Sequence, residues 1–316
     1  MTQKLRIGSR SSKLAIIQAE IVRSAIAAKL PGLAIEIVPI KTSGDKILTP
    51  SLAEIGGKGL FIKELEQALS EGSIDVAVHS MKDLPATLAP EFRIVATPER
   101  ENPRDALIAA DGVSLKSLPK GAKLGTSSPR RKFLALRVNP GLDVVPLRGN
   151  VDTRLSRVHS GELDAIILAI AGLKRLGKLS ETKHQELDER EFIPAAAQGA
   201  LAIEALAGSQ ICDSSEIEKA IDALNHPQTV SETAAERAFL ASIQASCVTP
   251  VGVKATHTDG TLVIRAILFS AEGSRSLEDE MSDRVAVRDW KSAVVIGEKL
   301  GAGMISRGAR ELLDEN

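Results

Sequence analysis

The sequence predicts an α/β protein: two similar α/β domains followed by a smaller α+β domain. Three observations predict it. Short β-branched runs such as Ile74 to Val78 alternate with amphipathic stretches, the pattern of strands covered by helices. A two-part pattern occurs twice. Ile7-Gly-Ser-Arg-Ser-Ser-Lys13 is echoed by Leu124-Gly-Thr-Ser-Ser-Pro-Arg-Arg-Lys132, and Glu71-Gly-Ser-Ile-Asp-Val-Ala-Val78 by Ser160-Gly-Glu-Leu-Asp-Ala-Ile-Ile-Leu168. Beyond residue 217 the order changes to helices followed by paired strands. With 316 residues and 43% hydrophobic side chains, the chain can fill two or three cores. The expected divisions are 1–98 with 195–216, then 99–194, then 217–316.

Leu5-Arg-Ile-Gly8 reads as the first strand, and Leu14, Ile17, Ile21 and Ala25 mark the apolar stripe of the helix after it. Ser11 or Ser12 caps that helix, which sets Arg10 beside free N–H groups at a helix N-terminus, an anion site. Pro31-Gly32 ends the helix and Ala34 to Ile40 alternates as a second strand. The glycine-rich stretch from Lys41 to Gly59 is long for a connector, and it reads either as a lid presenting Lys58 to an anion or as plain disorder. Its Gly56-Gly-Lys-Gly59 lacks the spacing of a nucleotide-binding loop. A helix over 60–71, stopped by Gly72, leads to a strand over 74–79, taken as parallel and covered on both faces. That strand ends in His79-Ser-Met-Lys-Asp-Leu-Pro85, delivering the carboxylate of Asp83 to a loop where α/β sheets hold ligands.

The second copy is richer in arginine. Pro129 suits a first helical position and leaves Thr126, Ser127, Ser128, Arg130 and Arg131 at that N-terminus. A strand over Val144 to Leu147 carries Arg148-Gly-Asn-Val-Asp-Thr-Arg154 at its end, and Ala171-Gly-Leu-Lys-Arg175 follows a strand over 165–169. Guanidinium groups bind carboxylates bidentately, so the expected ligand carries several carboxylates or phosphates, held in a cleft between the two domains. Phe192 to Glu204 reads as a crossing of small residues and then a strand returning to the first domain. Helices at about 216–224 and 230–242, strands at 251–256 and 261–268, and helices at about 286–300 and 304–314 complete the third domain.

Composition excludes several classes. No apolar run is long enough to cross a bilayer, and Met1 to Arg10 lacks a signal-peptide pattern, so a soluble cytoplasmic protein is expected. A net charge of −1 and 2% aromatics offer nucleic acid neither a field nor a stacking platform. The two cysteines, Cys212 and Cys247, form neither a disulfide framework nor a zinc motif, and no metal is expected.

Several stretches together carry a resemblance: Gly56-Gly-Lys-Gly-Leu-Phe61, Val78-His-Ser-Met-Lys-Asp-Leu-Pro85, Gly125-Thr-Ser-Ser-Pro-Arg-Arg131, Leu147-Arg-Gly-Asn150, Ala171-Gly-Leu-Lys-Arg175, Pro194 to Gly199 and Ser246-Cys-Val-Thr-Pro250. In these, and nearly end to end, the chain resembles the porphobilinogen deaminase (hydroxymethylbilane synthase) family. The resemblance implies two domains like type II periplasmic binding proteins plus a C-terminal α+β domain. It implies a dipyrromethane cofactor joined by a thioether to Cys247, a primer to which porphobilinogen is added with loss of ammonia. Asp83 falls on the family's essential aspartate. By position Arg10, Ser12, Lys58, Ser80, Lys82, Thr126, Ser127, Ser128, Arg130, Arg131, Arg148, Arg154, Arg175 and Gln198 would hold cofactor and substrate. Phe61 packs either on a pyrrole ring or in the core. Ala245 and Pro129 depart from the commoner family residues without removing a reacting group. The resemblance also implies a monomer. Rival readings are a solute-binding module and the effector domain of a transcription regulator.

Overall fold

The computed structural model describes residues 4–42, 62–110, 112–208, 210–246 and 248–314. Strands β1 (Lys4–Arg10), β2 (Ala34–Ile40), β3 (Val76–Ser80) and β4 (Phe92–Ala96) come first. Then follow β5 (Asp105–Ala109), β6 (Lys123–Gly125), β7 (Asp143–Val145), β8 (Ala165–Ala169) and β9 (His184–Glu186). The last are β10 (Leu201–Leu206), β11 (Val251–Thr258), β12 (Thr261–Phe269) and β13 (Ser276–Arg284). Two compact units contain them, Met1–Glu101 with Ala200–Val230, and Asn102–Gly199 with Ser231–Asn316.

In the first unit the sheet order is β2-β1-β3-β10-β4. The helices Lys13–Lys29 and Ser215–Asp222 cover one face through Ala19, Val22, Ile26, Ile217 and Ile221, and the helix Lys63–Ser70 covers the other through Leu65, Ala68 and Leu69. The second unit repeats the plan as β7-β6-β8-β5-β9. A further antiparallel sheet, β11-β12-β13, packs on the helices Pro227–Ser242 and Trp290–Met304 around Phe239, Ile264, Leu300 and Met304.

The sequence repeat is a repeat of contacts. The Arg6 backbone N–H donates to Asp75 Oδ2 at 2.7 Å, and the Lys123 N–H donates to Asp164 Oδ2 at the same 2.7 Å. Gly8 and Gly125 occupy equivalent places. A Cβ on Gly8 would lie 2.3 Å from Ile74 Cδ1, and one on Gly125 2.6 Å from Leu163 Cδ1, so a side chain at either would overpack the core at a cost of about 1–3 kcal/mol.

Three expectations are corrected. The strand over 74–79 is β3 at 76–80, and its sheet is mixed. β3 runs parallel to β1 but antiparallel to β10, because β10 returns from the other unit. The strand expected through Leu147 stops at Val145, since Pro146 has no N–H for the ladder. Residues 276–284 form a strand, and the next helix starts at Trp290 rather than near 286. No described helix is long and apolar enough to cross a membrane.

Candidate functional site

In the first unit β3 runs directly into a 3₁₀ turn, Met81–Asp83. Met81 and Leu84 are buried and the Met81 N–H donates to Ala200 O at 3.0 Å, which pins the turn and leaves Lys82 and Asp83 exposed. A cavity of about 60 Å³ is lined by Arg10, Ser12, Gln18, His79, Ser80 and Asp83, so four of the expected site residues meet around one small space. Ser12 is the helix cap, its Oγ accepting the Ala15 N–H at 3.3 Å. Gln18, which carried no signal in the sequence beyond its place on the helix, donates to Ser80 Oγ at 2.8 Å. Of these lining residues, His79 has its Nε2 2.9 Å from Glu204 Oε2, off the line of a hydrogen bond, with both side chains buried. A carboxylate and a guanidinium around one cavity can receive N–H donors and anions together.

The second unit holds most of the expected arginines. Ser128 caps the helix Pro129–Val138, with Pro129 at its start, and Ser127 Oγ donates to Leu147 O and accepts the Leu147 N–H at 2.9 and 3.0 Å. Thr126 Oγ1 accepts the Ser128 N–H at 3.2 Å. Arg130 and Arg131 turn inward onto Asp105. Arg130 Nη2 lies 2.8 Å from Oδ2, and Arg131 Nη2 2.7 Å from Oδ1. Their other nitrogens donate to Ile193 O and Ile167 O at 2.8 and 3.1 Å. Burial pushes the Asp105 carboxyl up, but the charges and hydrogen bonds of Arg130 and Arg131 outweigh it and hold the group well below the usual carboxylate range. Gln198 joins the same cluster, Nε2 donating to Asp105 Oδ1 at 3.0 Å and to Pro103 O at 2.7 Å. Nothing in the sequence singled out Asp105.

Arg154 has a different surrounding. Its Nε donates to Gly149 O at 2.8 Å, and burial followed by repulsion from Arg131 and Arg148 pushes its guanidinium down to about 10. Arg131 is already matched by Asp105, and the positive charge that Arg148 and Arg154 add beside that pair favours an anionic ligand. Arg175 Nη2 donates to Gly199 O at 2.6 Å. Lys58 and Cys247, with Phe61, lie outside the described residues.

Cys212 is a poor nucleophile. Burial, then the nearby Asp75 charge, pushes its thiol up to about 12, and Sγ donates to Lys4 O at 3.7 Å. A group raised this far stays a thiol at neutral pH, so Cys212 should be alkylated by iodoacetamide at pH 8 at least about ten-fold more slowly than a cysteine in an unfolded peptide. Peptide mapping checks this, and equal rates would contradict it. Among the described residues no His, Cys, Asp and Glu cluster could hold a metal.

Two family profiles match the chain. Porphobilinogen deaminase, dipyromethane cofactor binding domain, matches residues 5–213, and porphobilinogen deaminase, C-terminal domain, matches residues 230–306. The porphobilinogen deaminase of Chromobacterium violaceum is 45% identical over 98% of this chain and 97% of its own. That of Nitratidesulfovibrio vulgaris is 43% identical over 99% and 97%. Among solved structures, the second substrate-binding domain of Lactococcus lactis GlnP aligns with 70% of this chain and 88% of its own at 14% identity and a TM-score of 0.42. That likeness is too distant to add to the fold read from the sheets.

Proposed function

The chain belongs to the porphobilinogen deaminase family, and from that premise we propose how its residues divide the family's reaction. The chain is a transferase of tetrapyrrole biosynthesis that joins four porphobilinogen molecules head to tail, losing ammonia, to give hydroxymethylbilane. Its cofactor is dipyrromethane, which when bound supplies the nucleophilic pyrrole end on which the product grows.

The residues suit such a group. Linked pyrroles bearing acetate and propionate side chains are polyanions, and Arg154, flanked by Arg131 and Arg148, gains from receiving one. The observation that carries the assignment is the meeting of Arg10, Ser12, Ser80 and Asp83 around one cavity. Arg148 and Arg154 take carboxylates directly, with Arg10, Lys58, Lys82 and Arg175 as further cations. Arg130 and Arg131 set the shape and potential of their wall through Asp105. Ser12, Ser80, Thr126, Ser127, Ser128 and Gln198 hold backbone and side-chain geometry around these charges. Asp83, presented on an exposed turn, accepts hydrogen bonds from pyrrole N–H groups and stabilises the positive charge that develops on the substrate as ammonia leaves. Cys247 anchors the primer. We assign the cofactor-binding part to the two repeat domains and the anchor to a third, with divisions at about residues 98, 194 and 216. Porphobilinogen is its partner, the family resemblance suggests a cytoplasmic monomer, and a pI near 6.6 with few aromatics argues against nucleic acid as a partner.

Intact mass after incubation with porphobilinogen tests the assignment. Wild type and Cys212→Ala should each carry two linked pyrrole units, mapped to the Cys247 peptide, and Cys247→Ala should carry none. An adduct retained by Cys247→Ala refutes the anchor. Binding that saturates without any adduct or turnover in wild type would return the chain to the solute-binding reading.

A further inference from the structure

Within the second unit the small-residue crossing Pro194 to Gly199 contains an anomaly. Ala197 is buried at φ +56°, a left-handed conformation that alanine disfavours because its Cβ crowds the following carbonyl. The Ala197 N–H donates to Glu236 Oε2 at 2.6 Å. Glu236 is wholly buried, and its other oxygen accepts the Ala255 N–H at 2.9 Å. Charge-assisted bonds to backbone donors are strong, so this carboxylate can hold an unfavourable turn in place. The residue after the turn is Gln198, whose amide donates to Asp105 Oδ1, and Asp105 in turn bonds Arg130 and Arg131. An unbroken series of contacts therefore runs from Glu236 through Ala197, Gln198 and Asp105 to Arg131, one of the cations beside Arg154.

We propose that Glu236 is a positioning residue for the cofactor: by fixing the left-handed turn at Ala197 it sets Gln198 and Asp105, and through them the wall of Arg130 and Arg131 that shapes the place of Arg154, a cation that takes the primer's carboxylates. This rests on the family reading above. Glu236 touches neither primer nor substrate in this role. Two backbone donors need two acceptor oxygens, and a glutamine supplies one. Ala255 is held by the continuous β11-β12 ladder, from Val251↔Leu268 to Thr258↔Thr261, so in Glu236→Gln the turn at Ala197 is the partner that gives way. Glycine adopts the left-handed turn without a Cβ penalty, so Ala197→Gly makes the turn less dependent on the carboxylate.

The experiment follows primer occupancy by intact mass on protein reconstituted with limiting porphobilinogen, together with KM, kcat and the thermal midpoint of the unloaded chain. Glu236→Gln should lower occupancy and raise KM by about ten-fold, with kcat per loaded chain changed less than about two-fold. Adding Ala197→Gly to it should restore most of the occupancy, and Ala197→Gly alone should load like wild type. A fall in thermal midpoint with normal occupancy and KM would show a structural role only and overturn the proposal, as would failure of Ala197→Gly to restore loading. If Glu236→Gln does not accumulate folded, Gln198→Met cuts the series one link later with Glu236 intact and carries the same expectation, and normal loading there overturns it. Wild type is the control for the premise. Its failure to load would undo the family reading itself, whereas loading in wild type and Glu236→Gln alike would undo the positioning role only.

Discussion

Replacing Asp83 by asparagine should lower turnover by about two to three orders of magnitude, the loss usual for removing one group aimed at developing charge. Asparagine keeps the size and one acceptor oxygen, so a pyrrole N–H still finds a hydrogen bond, but the full negative charge that stabilises the cation is gone. The side chain is exposed on a turn held by Met81 and Leu84, so the fold does not depend on it. Initial rates of porphobilinogen consumption, with thermal midpoints measured on the same samples, separate the two effects. Near-normal turnover by Asp83→Asn would remove Asp83 from its role, and a large fall in midpoint would contradict the exposed placement.

Asp105→Asn should be the costliest change to stability, about 3–5 kcal/mol, because it leaves two buried guanidiniums facing a neutral amide. Urea unfolding at neutral pH reads it directly, and a loss below about 1 kcal/mol would mean that Arg130 and Arg131 find other partners. The pH dependence has a definite sign. Asp105 is held below its ordinary value in the folded chain, so its contribution is fully present at neutral pH. It starts to fade as pH falls below about 4, where the unfolded chain begins to take up the proton, and it is gone only below the depressed native value. Wild type should therefore lose stability on that limb faster than Asp105→Asn, and parallel acid limbs would contradict the assignment.

Much of the fold was legible because its signals are local. The strand expected over 34–40 is β2 to the residue, and that over 165–169 is β8. Ser12 rather than Ser11 caps its helix, and Pro129 opens the next, since caps and first turns involve residues only three or four apart. The acids read as marking the two strand starts, Asp75 and Asp164, make the same backbone contact. The strand β13 was not legible. Ser276-Leu-Glu-Asp-Glu-Met-Ser-Asp-Arg284 is an edge strand whose half-buried and exposed acids disguise the alternation, with Leu277 and Met281 alone among its apolar residues packing on the core.

The sequence by itself determined the chemical inventory: a carboxylate at the end of β3, hydroxyl caps and arginines at strand ends of the second repeat, and the cysteine at position 247. Each of these is a property of a few consecutive residues. Only the tertiary structure decided which charges meet. Arg130 finds Asp105 across 25 positions and Ala197 finds Glu236 across 39. The first pairing depends on β5 lying antiparallel between β8 and β9, which no local pattern announces. A guanidinium in water and one buried against a carboxylate have the same sequence signature. Burial separates them, because in the interior each charge must be matched by whichever acid the sheet order brings alongside, and that order is set by the whole chain.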